Sequence, residues 1–305
     1  RRFKVKRDVA KDSYKRAVEE GRKAVLVKSG WVIRRKPSGE VRARIVAQQI
    51  SDKQHMEEFY CPTPRLVAHR VIAARAAGRH WQIWPGDVKT AFLHAPMEQG
   101  PVGEELEGDE EIYLQPPPTE QTEDKTLQED GGFLWRMQRW LYGLRKSPKK
   151  FNEHFAQMVS QVHWHRTKAE PQIYWSSKFK GALMSVHTDD LFITASDKDI
   201  AEIKRQLEGQ LTLKWSPPLG DKWERFVGYE WKHSGNTVQI RVPQRYIDNL
   251  LKEWQLDKAK PAPNPYSGAM VHAEQQEPLC EAEHRRYRRA IGQLMWMMPI
   301  KPEAA

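Results

Sequence analysis

Cysteine is nearly missing from this sequence. The 305 residues contain two, Cys61 and Cys280, far apart. That excludes a disulfide-stapled scaffold and fits a reducing compartment. Long apolar runs are missing as well. None approaches the roughly 20 residues a membrane-spanning helix needs, and no signal peptide opens the chain, so no membrane partner is expected. Soft metal ligands are scarce: His163 and His165 stand two apart, with no Cys or third His nearby to complete a structural zinc site. Charge is abundant. Lys and Arg number 50 against 40 Asp and Glu, a formal net charge of +10. Such a balance suits a polyanionic partner, although a merely soluble surface also tolerates it. The length suffices for two or three compact subdomains. The first residue is Arg1 rather than Met, which reads as a piece of a longer translation product.

The stretch around which the chain is organised is 185–193. An apolar run, two adjacent carboxylates (Asp189 and Asp190) and a second apolar run predict a β-hairpin with the acids at its tip. Adjacent carboxylates repel and resist burial unless a positive charge sits on them. A divalent cation supplies that charge, and hard oxygen ligands suit magnesium. On the dipeptide alone a solvated Asp-Asp turn is the simpler reading. A third acid in matching surroundings outweighs it: Asp87 also ends a short strand-like run, from Trp81, and precedes a tight turn. One acid on one strand with one or two on a neighbouring hairpin resembles a site that holds two metal ions.

Further pieces stand in order along the chain. They are Trp31-Val32-Ile33 with Arg42-Ala43-Arg44-Ile45-Val46-Ala47; Phe59-Tyr60-Cys61-Pro62; Asp87-Val88-Lys89-Thr90-Ala91-Phe92-Leu93; Ile112-Tyr113-Leu114-Gln115-Pro116-Pro117; Leu141-Tyr142-Gly143-Leu144-Arg145; Phe226-Val227-Gly228; and Pro243-Gln244-Arg245-Tyr246. With the Asp189-Asp190 hairpin, this series resembles the reverse transcriptase of copia-type LTR retrotransposons, from about Trp31 to about Pro299.

That resemblance implies an α+β right-hand polymerase fold, with fingers, a ferredoxin-like βαββαβ palm and the start of a thumb. It implies RNA-directed DNA polymerase activity, with Asp87, Asp189 and Asp190 as catalytic metal ligands. Two magnesium ions are the expected cofactors, with manganese as a substitute. Arg42, Arg44, Phe92, Tyr142, Gly143 and Arg145 fall at nucleotide-binding positions, with Arg44 on the triphosphate and Phe92 under the sugar. His187, Val227, Gly228 and Tyr229 fall at primer-binding positions. The implied partners are an RNA or DNA template with its primer, deoxynucleoside triphosphates and other segments of a retrotransposon polyprotein. The implied location is cytoplasmic retrotransposon particles, or the nucleus. The family has Tyr-Val where this chain has His187-Thr188, and Pro85-Gly86 before Asp87 is a second departure. They motivate an alternative, a catalytically inactive nucleic-acid-binding module of the same ancestry.

Residues 1–30 are expected to form a weakly structured extension, with a short helix from Asp12 to Gly21. Residues 31–242 would hold fingers and palm. Residues 243–305 would hold the thumb and the start of a connection segment, with RNase H absent. A hairpin over 31–48 turns at Pro37-Ser38-Gly39. Thr63-Pro64 is expected to start a helix that buries Val67, Val71 and Ala74. Ser147 is expected to cap a helix burying Phe151, Phe155, Met158 and Val159, and Ser196 one burying Ile200, Ile203 and Leu207. Strict alternation predicts a strand from Phe226 to Trp231 paired with Thr237 to Val242.

Overall fold

The computed structural model describes residues 3–36, 39–49, 59–97, 110–129, 132–260 and 278–302. In chain order the elements are β1 (Lys6–Ala10), α1 (Ser13–Glu19), β2 (Ala24–Arg35), β3 (Val41–Ala47), α2 (Leu66–Arg79), β4 (Ile83–Val88), α3 (Ala91–His94), β5 (Glu111–Gln115), α4 (Lys125–Glu129), β6 (Phe133–Met137), α5 (Ser147–Ser160), β7 (Trp164–Arg166), β8 (Ile173–Ser176), β9 (Leu183–His187), β10 (Asp190–Thr194), α6 (Asp197–Gln210), β11 (Leu213–Trp215), β12 (Glu224–Phe226), β13 (Tyr229–Ser234), β14 (Thr237–Arg241), α7 (Gln244–Glu253) and α8 (Glu281–Met297). The fold is a mixture of helices and sheets. The chain divides into two units, 1–75 with 83–217, and 76–82 with 218–305.

The first unit holds a five-stranded sheet in the order β1-β6-β5-β2-β3 and a six-stranded sheet in the order β11-β4-β10-β9-β8-β7. The six-stranded sheet is antiparallel at every described pairing. Its core is apolar and dense: Trp164, Tyr174, Met184, Leu191 and Ile193 are fully buried. Helix α5 buries Phe151, Phe155, Met158 and Val159, and α6 buries Ile200, Ile203 and Leu207, the faces their spacing predicts.

Several expectations need correction. Residues 6–10 form a strand rather than a weakly structured stretch, while the short helix expected from Asp12 to Gly21 is present as α1. Strand β1 is fixed by β6, more than a hundred residues away, and α1 packs Ala17 against Tyr113 and Leu134. Neither partner is visible locally. Helix α2 leaves Val67, Val71 and Ala74 exposed and buries Ala68 and Ile72 instead, so the face that meets the core is one position further along the helix than the spacing predicts. Ser147 lies inside α5 rather than capping it, and its hydroxyl donates to the Leu141 carbonyl at 2.6 Å. The predicted hairpin turn at Pro37-Ser38 lies outside the described residues.

The second unit contains the meander β12-β13-β14 with α7 and α8. The expected strand from Phe226 is broken. Phe226 pairs with Tyr229 across a two-residue turn, with Val227 at φ 45° and Gly228 at φ 84°. This unit begins its main segment at Pro218. Trp296 of α8 stacks on Tyr229 of β13 at 4.8 Å and lies 4.4 Å from Tyr246 of α7, which binds these helices to the meander.

Candidate active site

The site is built where β4, β9 and β10 run side by side. Strand β9 ends at His187 and β10 begins at Asp190, so Thr188 and Asp189 form a two-residue turn. Thr188 holds a φ of 60°, an unfavourable conformation for a β-branched residue. The Val88 N–H donates to the Asp189 carbonyl at 2.7 Å, which fixes the hairpin tip beside the end of β4. Asp190 lies directly opposite Asp87 in the ladder. Directly opposed residues project from the same face, so these two carboxylates face each other across two strands.

The acids feel one another. Burial, followed by Asp189 and Asp87, raises Asp190 from 3.8 to about 6. Asp87 is raised too, first by burial and then by Asp189, while Arg42, Lys214 and Lys89 pull it back. Lys214 is the β11 residue paired with Asp87. It and Lys89 are cations the sequence reading did not single out. Lys89 stands two residues from Asp87 and could have been noticed; Lys214 gains meaning only through the β11–β4 register.

Pro85-Gly86 is accommodated rather than disruptive. A residue's N–H and C=O point to the same side of a strand. The Pro85 carbonyl accepts from the Ser216 N–H at 3.0 Å, so its missing donor faces the place where β11 ends and costs no ladder bond to β10. A Cβ at Gly86 would lie 2.8 Å from the Trp215 ring, so the glycine makes room for the indole that crosses it.

On the other side of the acids stands the Leu141–Leu144 turn. The Ala47 N–H donates to the Tyr142 carbonyl at 2.8 Å, which docks the end of β3 on this turn. Gly143 has a φ of 90°, and a Cβ there would lie 1.9 Å from the Ala47 carbonyl oxygen. Only glycine allows that approach. Arg44 of β3 lies 5.1 Å over the Tyr142 ring, whose other neighbour is Phe92 at 4.6 Å. Burial raises the Tyr142 hydroxyl, and Asp189 and Asp87 add to it, so the phenol lies within the field of the acids. Among the described residues Arg42 and Arg44 make no salt bridge, which leaves both guanidinium groups available to an anion. Arg145 is committed elsewhere: its guanidinium lies 3.6 Å over Phe59, and its N–H donates to the Gln49 side chain at 2.8 Å.

His187 pairs with Asp190 on β9, half-buried, its imidazole pushed down by burial. His69 of α2, also missed by the sequence reading, lies 6.5 Å from it and contacts the Ser185 hydroxyl at 2.9 Å. Burial, with a smaller contribution from His187, lowers His69 to about 4, so it is neutral at physiological pH. The structure thus brings Asp87, Asp189, Asp190, Arg42, Arg44, Phe92, Tyr142, Gly143 and His187 into one neighbourhood. Val227, Gly228 and Tyr229 belong to the second unit, where Tyr229 is taken up by Trp296 and donates its hydroxyl to the Trp296 carbonyl at 3.0 Å.

The donor set fits a hard divalent cation, since repelling carboxylates are what such a charge relieves. Among the described residues no three His, Cys, Asp or Glu side chains converge into a preformed cage.

The sequence pattern of the family described as "Reverse transcriptase (RNA-dependent DNA polymerase)" matches residues 14–267. The Retrovirus-related Pol polyprotein from transposon TNT 1-94 of Nicotiana tabacum is 24% identical over 296 residues, covering 92% of this chain and 21% of that polyprotein. The transposon Ty5-1 protein YCL074W of Saccharomyces cerevisiae is 26% identical over 212 residues, covering 69% of this chain and 62% of that protein. The chain therefore spans less than two thirds of either relative. A solved foamy viral protease-reverse transcriptase in complex with double-stranded DNA aligns over 81% of this chain and 38% of that one, with a TM-score of 0.35 and 12% identity. On the strength of the family match over most of its length, the chain belongs to the reverse transcriptase (RNA-dependent DNA polymerase) family, and it is similar to Pol polyproteins of retrotransposons.

Proposed function

We propose that this chain extends a primer 3′-hydroxyl with deoxynucleoside triphosphates on an RNA or DNA template, as an RNA-directed DNA polymerase. The observation that carries this reading is the opposition of Asp87 and Asp190, with Asp189 at the adjoining turn, in a site where burial, and after it the neighbouring acids, raises Asp87 and Asp190. In this reading the six-stranded sheet belongs to the palm, the β2–β3 hairpin is the fingers, and residues 243–305 hold the start of the thumb.

Asp87 and Asp189 would hold two magnesium ions, with Asp190 assisting and manganese as a substitute. When bound, such ions favour the alkoxide form of the primer hydroxyl and neutralise charge on the triphosphate. The chain's own groups do the rest. Arg44 and Arg42 bind triphosphate oxygens through guanidinium forks. Phe92, packed on Tyr142, supplies a wall under the sugar that a 2′-hydroxyl would strike. Tyr142 supports both Arg44 and Phe92. Gly143 holds the β3 end against the site. Arg145, turned onto Phe59, acts by fixing the turn. His187 would contact the primer from the first unit, and the family resemblance gives Val227 and Gly228 of the second unit the same expected role. The parent polyprotein and its particles, cytoplasmic or nuclear, are the setting.

The test is primer extension on an RNA template with deoxynucleotides and magnesium, beside Asp189→Asn. Extension by the parent and none by the variant is expected. If a folded parent binds the hybrid yet does not extend it, the chain reverts to a nucleic-acid-binding module of polymerase ancestry.

A further inference from the structure

The second unit carries a cleft that contains none of the residues assigned to the carboxylate site. Helices α7 and α8 enclose a cleft of about 330 Å³ lined by Glu253, Trp254, Arg285, Arg286 and Arg289. Its floor is held in place by hydrogen bonds. The Trp254 Nε1–H donates to the Gln293 side-chain oxygen at 2.9 Å, and the Gln293 amide donates to Glu253 at 3.0 Å. Arg289 pairs with the other oxygen of Glu253 at 2.8 Å. Glu253 is therefore engaged by both Gln293 and Arg289. Two guanidinium groups remain. Arg286 lies 5.0 Å over the Trp254 ring, a long contact near the outer range of cation–π attraction and readily displaced. Arg285 has only a 3.6 Å pairing with Glu281, with both side chains mostly in solvent. Surface pairs of that kind contribute little and do not hold a cation against a better anion.

An indole face beneath movable guanidinium groups, in a cleft the size of one nucleotide, has the chemistry of a base-and-phosphate site. Guanidinium forks match phosphate oxygens, and any nucleobase can stack on an indole. A duplex keeps its bases paired inside and cannot offer that face. We propose that the α7–α8 cleft binds one nucleotide unit of a single-stranded nucleic acid, the base on Trp254 and the phosphodiester on Arg285 and Arg286. This site is additional to the carboxylate site, and it rests on strand binding rather than on catalysis.

The experiment is fluorescence anisotropy of the full chain with a labelled oligodeoxynucleotide, single-stranded or annealed to its complement. No magnesium or triphosphate is added, so a failure of polymerisation leaves the reading intact. The variants are Arg285→Gln/Arg286→Gln and Trp254→Leu. Arg16→Gln/Arg205→Gln removes the same charge from α1 and α6 as a control. Circular dichroism establishes that each is folded, and the arginine pair, being exposed, keeps the test open if Trp254→Leu does not fold. Expected is about tenfold weaker single-strand binding in the arginine variant and a loss in the same direction for Trp254→Leu, with duplex binding within about twofold of the parent. Equal losses on single strand and duplex would overturn the proposal. So would a control that loses as much, an unchanged affinity, or competition by free deoxynucleoside triphosphate or polyglutamate as effective as that of unlabelled strand.

Discussion

At the scale of single residues, the site is defined by charges held against their preference. Asp190 is pushed to about 6 where a free aspartate titrates at 3.8, chiefly by burial and then by its acidic neighbours. The folded state therefore binds that proton more tightly than the unfolded chain does. The resulting stability is present below about pH 4 and is lost as pH rises through about 6. In chelator, chemical denaturation should show the parent losing about 1–2 kcal/mol relative to Asp190→Asn between about pH 4 and pH 7, once solvent screening of this partly exposed group is allowed for. A difference that does not change with pH would remove the argument for repulsion. His69 works in the opposite sense, because its lowered value makes stability fall as pH drops from about 6.5 towards about 4. It is common to both proteins and cancels in the comparison. Phe92, 8% exposed and packed on Tyr142 and Phe151, gives a second prediction. Phe92→Val should raise incorporation of ribonucleotides relative to deoxynucleotides by tenfold or more, on the order of 1–2 kcal/mol of lost discrimination. Discrimination that stays at the parent's level would return Phe92 to the core alone.

At the scale of elements, the β2–β3 hairpin and the Leu141–Leu144 turn act as one device. Hairpin residues on one face carry Arg42 and Arg44, and the opposite face carries Ile33, Ala43 and Ile45, as the β2–β3 register dictates. The hairpin presents its basic face to the acids only if the end of β3 is held, and the Ala47–Tyr142 hydrogen bond holds it. Gly143→Ala places a methyl group 1.9 Å from the Ala47 carbonyl oxygen, at a φ of 90° that alanine resists. Such a clash cannot be relieved by a rotamer change. The expected cost is more than about 2 kcal/mol in denaturant unfolding. A variant as stable as the parent would mean that the turn and β3 are not in contact in solution. The spacing of Tyr142, Gly143 and Arg145 was legible in the sequence, but their division of labour was not. Gly143 serves backbone approach, Tyr142 bridges Arg44 and Phe92, and Arg145 is turned away onto Phe59. Nothing in a run of five residues reports which of them meets a strand a hundred positions earlier.

At the scale of the whole molecule, the balance of +10 is the relevant quantity. Template and primer held mainly through backbone phosphates release counterions on binding, so affinity should fall steeply with salt. Each neutralised phosphate contributes a slope of about −0.9 in log affinity against log salt on duplex DNA. Anisotropy titrations from about 50 to 200 mM salt would measure it. An affinity unchanged over that range would exclude phosphate-dominated binding and leave the excess of cations as a solubility feature. The division into two units is also a property at this scale. It passes between residues 217 and 218 because β12–β14 share aromatic packing with α7 and α8, through Tyr229, Tyr246 and Trp296. The expected start of the thumb at Pro243 rests on a helix start, which is a local signal, whereas which elements pack together depends on which side chains meet.

The sequence by itself determined what short-range physics can carry. Alternation and turn residues located the Asp189-Asp190 hairpin, helical spacing gave the buried faces of α5 and α6, and the ordered motifs gave the family. The tertiary structure alone decided what depends on long-range partners. It paired β1 with β6 and so ordered the N-terminal residues. It set Lys214 beside Asp87, seated Trp215 over Gly86, and put Ala68 and Ile72 of α2 inward in place of Val67 and Val71. The physical reason is the same in each case. Propensity and periodicity act over a few residues, whereas register across a sheet, the charge felt by a buried acid and the side of a helix that meets a neighbour are fixed by atoms that only folding brings together.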